Sequence, residues 1–354
     1  MASDRKARVG VIGCGWWSTY THIPGLKEYP SAELVALADQ NPERLQAAAK
    51  KYEVERTYTD YRHMLANERL DGVVVAVNHA AHYEVAKAAL EAGLHIMLEK
   101  PMVLEAAHAR ELVDLARRQG REIIVGYPWH YTETARRARE IVQSGRLGEI
   151  QFVSSLFASM VIEFYRGNPE AYRPVFNYPV TGPGQAYADP KLSGGGQGHL
   201  QVTHSAGLMF FVTGLRARRV AAEMERFDLP VDLVDAISVR FDNGAVGVVG
   251  STGNIGVGDG GQHDLRVYCS RGYLLMEMVD GTMTVRTHDG TVEQIGPLPE
   301  EERYPRFATA HNLVDVILGR AQNGSPGEVG ARTVELLDAA YRSAAQEGRP
   351  VTVS

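Results

Sequence analysis

Cysteine is scarce in this 354-residue sequence, which contains only Cys14 and Cys269. The two lie far apart, and neither belongs to a Cys-x-x-Cys pair or a Cys/His cluster, so neither a disulfide framework nor a metal site is expected. Basic charge is not in excess either, because 37 Lys and Arg residues stand against 43 Asp and Glu residues, a formal net charge of -6. Such a chain does not attract polyanions, and nucleic acid is not an expected partner.

Long apolar runs are also missing. The longest, such as 73–77, are far shorter than the roughly 18 residues that span a bilayer, so no membrane association is expected. The opening sequence MASDRKARVGVIG has no apolar signal-peptide core, and we expect a cytoplasmic protein. The composition that remains, with 44% hydrophobic residues, is that of a globular protein, and at roughly 150 residues per domain the length suggests two domains.

The first third of the chain alternates short β-branched runs with longer helical patterns. The runs are continuously apolar, as is typical of parallel strands that are covered on both faces. The sequence predicts strands at 8–12, 33–38, 72–77, 95–98 and 122–125, with helices at 42–52, 82–92 and 105–119 between them. This alternation predicts an α/β fold with a doubly wound Rossmann domain over residues 1–126.

The pattern changes in residues 127–354. A predicted helix (132–144) and strand (149–157) precede a loop-rich stretch that ends near residue 196. An apolar helix (197–212) is followed by six strand-like runs between 220 and 287, and two helices (308–318 and 330–346) close the sequence. Asn243-Gly244 between two of the runs indicates a hairpin turn. We therefore predict a C-terminal α+β domain with a mainly antiparallel sheet.

A glycine-rich turn follows the first predicted strand. Gly13 and Gly15 allow the backbone to approach a pyrophosphate closely, although Ser18 replaces the third glycine of G-x-G-x-x-G. Trp16 and Trp17 lie within this turn. They are candidates for the wall of a nicotinamide pocket, or one of them packs under the sheet.

Asp39 ends the second predicted strand, 24 positions after Gly15. A carboxylate there can accept hydrogen bonds from an adenosine ribose, and it can also cap the helix that starts near Pro42. The same charge repels a 2'-phosphate, and the neighbouring Gln40 and Asn41 supply no cation. The sequence therefore favours NAD over NADP.

Glu99-Lys100-Pro101 stands at the carboxyl end of a predicted parallel strand, the edge at which open α/β sheets bind ligands. Pro101 restricts the backbone and holds the lysine in a loop at the crevice. The alternative is an ordinary solvated lysine.

The stretch 157–187 is rich in aromatic residues. Such rings can stack on a sugar or an aryl group, which favours a sugar or glycoside ligand, and an oligomer contact uses the same residue types. Three cations in or near this stretch, Arg166, Arg173 and Lys191, leave an anionic or phosphorylated sugar as an alternative ligand. The seven aromatic residues are Phe157, Phe164, Tyr165, Tyr172, Phe176, Tyr178 and Tyr187.

Over essentially its whole length the sequence resembles the Gfo/Idh/MocA oxidoreductase family. The likeness implies an N-terminal Rossmann domain, a C-terminal domain whose large open sheet forms a homodimer or homotetramer, and a sugar, cyclitol or glycoside substrate. It also implies NAD contacts from Gly13, Gly15, Trp16, Trp17, Asp39, Asn78, His82, Glu99 and Lys100. The residues that carry it are Gly13-x-Gly15 with Asp39, Val77-Asn78 with His82, Glu99-Lys100-Pro101, and Gly194-Gly195-Gly196 with His204.

The resemblance further implies that Lys100 contacts the reacting hydroxyl and that His204 exchanges its proton. One departure is Leu200, which stands where relatives carry an aspartate four residues before the histidine. Gln201 or Gln197 is then a candidate substrate contact, and the proton acceptor is His204 or Asp189. His130 is a further candidate contact, because the asparagine and arginine of many relatives are missing from this segment.

These observations favour an NAD-dependent dehydrogenase that oxidises a secondary hydroxyl of a sugar, cyclitol or glycoside. Two alternatives stay open. One is a glycoside-cleaving enzyme that retains its NAD and oxidises the substrate transiently. The other is a non-catalytic ligand-binding regulator on the same fold, which the missing aspartate favours and the presence of both Lys100 and His204 disfavours.

Overall fold

The structure is a computed structural model and describes residues 5–353. Six parallel strands form its first sheet in the order β3-β2-β1-β4-β5-β6. The order reverses between β1 and β4, so the carboxyl ends of these two strands open the crevice where such sheets bind ligands. The strands are β1 (Ala7–Ile12), β2 (Ala32–Ala38), β3 (Arg56–Tyr58), β4 (Gly72–Val75), β5 (His95–Leu98) and β6 (Ile123–Val125).

Helices cover this sheet, and their ends follow local sequence signals. Asn41 caps α2 by accepting a hydrogen bond from the Arg44 amide at 2.9 Å, and Pro42 stands at the first helical position. Gly120 ends α5 with a left-handed backbone (φ 62°). The helices are α1 (Ile23–Glu28), α2 (Pro42–Tyr52), α3 (Tyr61–Asn67), α4 (His82–Glu91) and α5 (Ala106–Gln119).

The second sheet contains nine strands in the order β14-β13-β12-β11-β7-β10-β9-β8-β15. Neighbouring strands of the described chain are antiparallel except β7 and β10, which run parallel. The strands are β7 (Ile150–Ala158), β8 (Ala217–Glu225), β9 (Val234–Phe241), β10 (Val246–Thr252), β11 (Gln262–Cys269), β12 (Gly272–Glu277), β13 (Thr282–Thr287), β14 (Val292–Ile295) and β15 (Val351–Thr352). The predicted fold class, a Rossmann domain followed by a mainly antiparallel α+β part, is confirmed.

One face of the second sheet packs on helices and the other faces outward. The covered face shares a buried apolar core with α6, α9 and α12. The remaining helices are α6 (Glu133–Gln143), α7 (Ile162–Tyr165), α8 (Pro190–Ser193), α9 (Thr203–Thr213), α10 (Glu300–Arg303), α11 (Ala308–Ile317) and α12 (Gly327–Ala344). Among residues 5–353, no helix combines the length and apolarity needed to cross a membrane.

The last two long helices return to the first sheet. Ala310, Leu313 and Val314 of α11 join the apolar core on one of its faces, and Ala331 and Val334 of α12 join the core on the other. The C-terminal part of the chain thus completes the packing of the N-terminal sheet. The division at residue 126 remains a prediction.

Three strands were not predicted from the sequence. β3, β14 and β15 are two to four residues long, and none of their residues is fully buried. Each lies at the edge of a sheet. Their short, partly solvated runs carry no distinctive apolar pattern.

Candidate active site

The glycine turn after β1 comes very close to the neighbouring strand. Gly13 has a φ of 98°, and a Cβ there would lie 2.2 Å from the Ala76 carbonyl oxygen, so only glycine fits. A Cβ at Gly15 would meet no atom within 4 Å, which leaves open space above that part of the turn. Ser18 follows, and its buried hydroxyl has no hydrogen-bond partner within residues 5–353. An open glycine turn with an unpartnered hydroxyl fits the pyrophosphate of a dinucleotide.

Asp39 lies at the end of β2 and ties the glycine turn to the neighbouring helix. Its carboxylate accepts hydrogen bonds from the Cys14 and Asn41 amides, both at 2.8 Å. Arg44 of α2 binds the same carboxylate with two side-chain nitrogens at 2.9 and 2.8 Å. Gln40 and Asn41 supply no cation to Asp39, but Arg44 does. The cation comes from one helical turn further along the chain, which neighbouring positions in the sequence do not reveal.

The His82 side chain, an expected cofactor contact, lies between two backbone carbonyl groups. Its side chain is fully buried, and its ring nitrogens lie 2.7 Å from the Pro101 oxygen and 3.2 Å from the Val77 oxygen. The imidazole therefore links two loops at the crevice and has no surface left for a ligand. Asn78 is half-buried and makes no capping hydrogen bond from its side chain, so it remains a candidate.

Glu99 follows β5 and is buried below the crevice. It accepts hydrogen bonds from Trp17 Nε1 at 3.0 Å, from His22 Nε2 at 2.8 Å and from the Lys100 amide at 3.0 Å. Burial by itself raises the pKa of this carboxyl, but the His22 hydrogen bond and the Lys100 charge outweigh it, so the pKa is lowered. Glu99 thus stays ionised and fixes the positions of Trp17 and the lysine loop.

The Lys100 side chain reaches from the first sheet to the helix of the second. Its Nζ donates a hydrogen bond to the Leu200 carbonyl oxygen at 3.0 Å. Burial lowers its pKa to about 8, and the Glu99 carboxylate opposes that shift. Lys100 is half-buried, which excludes the alternative of an ordinary solvated lysine. Because its pKa lies only slightly above 7, it is charged at neutral pH but loses its proton more easily than a free lysine.

The helix that carries His204 begins with a wide turn. Residues Gly198–Val202 form a π-helical turn before α9 starts at Thr203. Turns of this kind are frequent at functional sites. The carbonyl that receives Lys100 belongs to Leu200, within this turn, while the Leu200 side chain is buried among apolar neighbours. Position 200 thus contributes its backbone where the resemblance led us to expect a carboxylate.

His204 is buried beside aromatic rings, and its Nδ1 has no partner within residues 5–353. Its ring centroid lies 5.2 Å from that of Trp129 and 5.9 Å from that of Tyr127. Burial, followed by the positive charge of Lys100, holds the pKa of His204 well below its usual range. The imidazole is therefore neutral at pH 7 and able to accept a proton.

Two more aromatic residues complete this corner of the crevice. Tyr304, in the segment between α10 and α11, packs edge-on against Trp129 at 4.9 Å. Burial and the nearby Glu99 carboxylate raise the pKa of Tyr304, so its hydroxyl keeps its proton. His263 on β11 also packs against Trp129, with its centroid 4.4 Å from that of the indole. Sequence reasoning missed both, because they are more than 150 residues from Lys100 and carry no motif.

Most of the aromatic stretch 157–187 packs internally. Phe164, Tyr172 and Tyr178 are buried with Trp16 in one apolar cluster. Trp16 also donates a hydrogen bond to the Tyr187 hydroxyl at 3.1 Å. The expected sugar-stacking loop is therefore largely a core that joins the two domains. Trp16 packs within this core, whereas Trp17 stays half-exposed.

Two other expected contacts have hydrogen-bond partners within the chain. His130 is buried, stacks on Phe211 at 4.2 Å and pairs through Nδ1 with the Ser325 hydroxyl at 3.0 Å, while its Nε2 has no partner within residues 5–353, so a substrate contact stays a prediction. Asp189 accepts a hydrogen bond from the Lys191 amide at 2.9 Å and caps α8. Gln201, in the π-helical turn, is half-buried and remains a candidate substrate contact.

A buried carboxylate holds the start of the His204 helix. Asp232 accepts hydrogen bonds from the Gly196 and Gly198 amides, both at 2.7 Å, and from the Tyr341 hydroxyl at 2.9 Å. A Cβ at Gly196 would lie 2.0 Å from the Asp232 carbonyl oxygen, so the glycine run is required by this close approach. Asp232 was not predicted, since it follows the glycine run by 36 positions.

The fold and this crevice define a class: two-domain oxidoreductases whose first domain is a Rossmann domain that binds a nicotinamide dinucleotide. The chain belongs to the Gfo/Idh/MocA family. Residues 7–127 match its "Oxidoreductase family, NAD-binding Rossmann fold" and residues 135–275 match its "GFO/IDH/MocA C-terminal domain". The recognised resemblance and the NAD cofactor are thereby confirmed.

Named relatives act on sugars. The chain is 35% identical over 143 residues to the D-glucoside 3-dehydrogenase of Escherichia coli, a match that covers 40% of this chain and 41% of that enzyme. It is 26% identical over 197 residues to the NADP-dependent D-xylose 1-dehydrogenase of Haloarcula marismortui, covering 55% and 51%. The chain thus matches only about half of these relatives or less.

Solved structures match over almost the whole chain. A levoglucosan dehydrogenase in complex with NADH and levoglucosan superposes with a TM-score of 0.80 at 20% identity, covering 99% of this chain and 100% of that one. An oxidoreductase domain protein from Kribbella flavida has a TM-score of 0.82, also at 20% identity and with the same coverage. These likenesses establish the fold.

The capping carboxylate yields a prediction with a matched control. In the wild type, the Asp232 carboxylate accepts from three donors; in Asp232→Asn, an amide NH2 would meet at least one of these donors. We expect this substitution to lower the free energy of unfolding by about 2 kcal/mol at neutral pH. Asp235 is buried nearby, and its carboxyl faces that of Asp232. An asparagine amide can donate to Asp232 as a protonated carboxyl does, so Asp235→Asn is expected to cost no stability at that pH. Denaturant unfolding of both variants measures the difference, and equal losses would contradict the capping role.

The same control has its own pH dependence. Burial, together with the Asp232 carboxylate, raises the pKa of Asp235 well above its usual range. The folded protein then holds a proton that the unfolded chain releases, so this group lowers wild-type stability as pH rises. Asp235→Asn should gain stability relative to wild type as the pH rises above about 4, the pKa of an unfolded aspartate. A difference that stays constant above that pH would show that Asp235 ionises normally.

Proposed function

We propose that this protein is an NAD-dependent dehydrogenase that oxidises a secondary hydroxyl of a sugar, cyclitol or glycoside. The observation that carries the proposal is that the Lys100 ammonium reaches the Leu200 carbonyl oxygen, one turn before the buried and neutral His204, whose pKa its charge lowers. Lys100 follows β5 at the carboxyl edge of the first sheet, and His204 belongs to α9 of the second domain. Family membership and the sugar dehydrogenases among the named relatives support the reaction type.

The cofactor would lie along the first sheet. Gly13 and Gly15 would receive its pyrophosphate, Asp39 its adenosine ribose, and Asn78, Trp17 and the Glu99-Lys100 loop its nicotinamide half. When bound, the nicotinamide supplies a hydride acceptor. Solved structures of the same fold contain NAD or NADH, which supports this placement.

The remaining chemistry belongs to side chains of this chain. Lys100, charged and held between Glu99 and the Leu200 carbonyl, would stabilise negative charge on the reacting oxygen. His204 would take the hydroxyl proton, since burial keeps its imidazole neutral. Gln201 and Tyr304 are polar, half-buried and close to this corner, and they would orient further hydroxyl groups of the substrate.

The ion pairs of the aromatic stretch favour a neutral substrate. Arg166 pairs with Glu163 at 2.7 Å, and Arg173 pairs with Glu170. These two cations are already neutralised by carboxylates three residues earlier in the sequence. Of the three cations that left an anionic sugar open, only Lys191 then lacks an ion pair among the described residues, and its side chain is exposed. A sugar, cyclitol or glycoside without a phosphate or carboxylate group is therefore favoured.

The first catalytic prediction concerns Lys100 and His204. Lys100→Ala and His204→Asn should each lower turnover about 100-fold or more, since charge stabilisation and proton transfer each contribute that much. NAD binding, measured by calorimetry, should persist in both because the adenosine contacts lie elsewhere. Asp189→Asn, which keeps a capping oxygen, is the control and should retain turnover. Loss of activity with Asp189→Asn alone would move the proton acceptor into the loop.

The same assay separates the two alternative functions. Product formed from a glycoside without added NAD, and with no net reduction of the cofactor, would indicate the NAD-retaining cleavage. A ligand that binds without any turnover over a panel of neutral sugars, cyclitols and glycosides would indicate a regulator. Reduced cofactor released in proportion to the oxidised sugar is the outcome we expect.

The pH dependence follows from the lowered pKa values. His204 is neutral across the ordinary range, so oxidation should not require raising the pH through the usual histidine pKa. Lys100 is protonated below a pKa of about 8, so kcat/KM for oxidation should be level up to that pH and fall above it. A rise of kcat/KM through the same pH would assign proton acceptance to neutral Lys100 instead.

The outward face of the second sheet supports a homodimer or homotetramer. Leu156, Val246 and Val248 are exposed on adjacent strands of this face, and exposed apolar patches of this kind mark association surfaces. Val248→Lys should shift the protein toward monomer in light scattering. Val257→Lys, at an equally exposed valine in the loop before β11, should not. An unchanged oligomer in Val248→Lys would place the contact elsewhere.

A further inference from the structure

Groups of this chain already occupy the hydrogen-bond acceptor positions of the Asp39 carboxylate. One of its oxygens accepts from the Cys14 amide at 2.8 Å and from Arg44 Nε at 2.9 Å. The other accepts from the Asn41 amide and from Arg44 Nη2, both at 2.8 Å. A carboxylate offers about four acceptor positions. A ribose hydroxyl can therefore bind Asp39 only by sharing or displacing one of these donors.

Arg44 is the donor that can move. The two backbone amides belong to the glycine turn and to the capped start of α2, so they are fixed by the fold. The Arg44 side chain is 32% exposed, whereas that of Asp39 is 3% exposed. The guanidinium thus covers the carboxylate on the solvent side and can turn away without disturbing the backbone.

The pair changes the charge of the ribose position. An isolated Asp39 would repel a 2'-phosphate, but the Asp39–Arg44 pair has no net charge. A guanidinium also matches the geometry of a phosphate and can bind two of its oxygens at once. With NAD, the ribose hydroxyls can take the place of Arg44 on the carboxylate. With NADP, Arg44 can bind the 2'-phosphate beside it.

We propose that Arg44 is a specificity-determining residue that allows this protein to bind NADP as well as NAD. The inference rests on the proposed placement of the adenosine ribose at Asp39. It also gives the two residues opposite roles: Asp39 favours the ribose hydroxyls of NAD, and Arg44 compensates the carboxylate and attracts the phosphate of NADP.

Binding to the free protein tests this without any sugar. Calorimetry with NAD and NADP, and with 5'-AMP and 2',5'-ADP as adenosine fragments, gives the dissociation constants. The wild type should bind NADP within about tenfold of NAD. Arg44→Gln should weaken NADP and 2',5'-ADP about tenfold or more, because a two-pronged phosphate contact is lost, and should change NAD by less than about threefold.

The reciprocal variant and a charge control make the test specific. Asp39→Asn releases Arg44 and should shift the preference toward NADP without any added cation. Lys50→Gln removes one positive charge from the exposed far end of the same helix and should leave the ratio of the two dissociation constants unchanged. Thermal unfolding of each variant shows whether the fold is retained.

Two outcomes would overturn the inference. One is a wild type that binds NAD but neither NADP nor 2',5'-ADP. The other is an Arg44→Gln variant that loses NAD and NADP affinity equally, since Arg44 would then only support the loop. Neither outcome depends on sugar oxidation: failure of the proposed dehydrogenase reaction would appear as absent turnover with both dinucleotides bound.

Discussion

A lysine ammonium half-buried between two sheets needs acceptors, and much of the crevice is arranged to provide them. The Nζ of Lys100 reaches the Leu200 carbonyl across the junction, while Glu99 supplies the neighbouring negative charge. Glu99 in turn is held by Trp17 and His22 from the segment after the glycine turn. The Lys100 charge therefore links the strand end, the glycine turn and the helix of the other domain. An unpaired charge at this depth would be costly, so these partners are required together.

Low polarity around that charge sets the protonation states of the crevice. His204 and His263 lie against aromatic rings, and burial lowers the pKa of both, that of His263 to about 3. A carboxylate beside His204 would raise its pKa by stabilising the protonated ring, whereas burial and the Lys100 charge lower it. Leu200 stands where relatives carry that aspartate, so its side chain gives the imidazolium no such stabilisation. His204 is therefore set up to be neutral before the reaction rather than to hold a proton strongly afterwards.

The sequence predicts those features that depend on residues close together in the chain. Continuous β-branched runs predicted the central strands of the first sheet, and Asn243-Gly244 predicted the hairpin between β9 and β10. Contacts that depend on how elements are oriented or paired could not be predicted. The contact of Arg44 with Asp39 depends on the direction in which α2 leaves β2. The contact of Asp232 with Gly196 depends on the assembly of the second sheet. For His82 and His130 the residue type suggested contact with a ligand, and the structure adds that both imidazoles lie in the interior against backbone or hydroxyl oxygens.

The return of α11 and α12 to the first sheet has a consequence for how the chain is made. A ribosome releases the N-terminal sheet long before it releases residues 308–334, which complete the apolar packing on both of its faces. Until then, the nascent sheet exposes Val74, Met97 and Ile124, which α11 later covers. The N-terminal domain therefore cannot complete its packing before the C-terminal helices have been synthesised. Until then, the nascent chain exposes apolar surface of the kind that chaperones bind. For the same reason, a gene fusion that exchanges only the first 126 codons would separate this sheet from α11 and α12, the helices that pack on it.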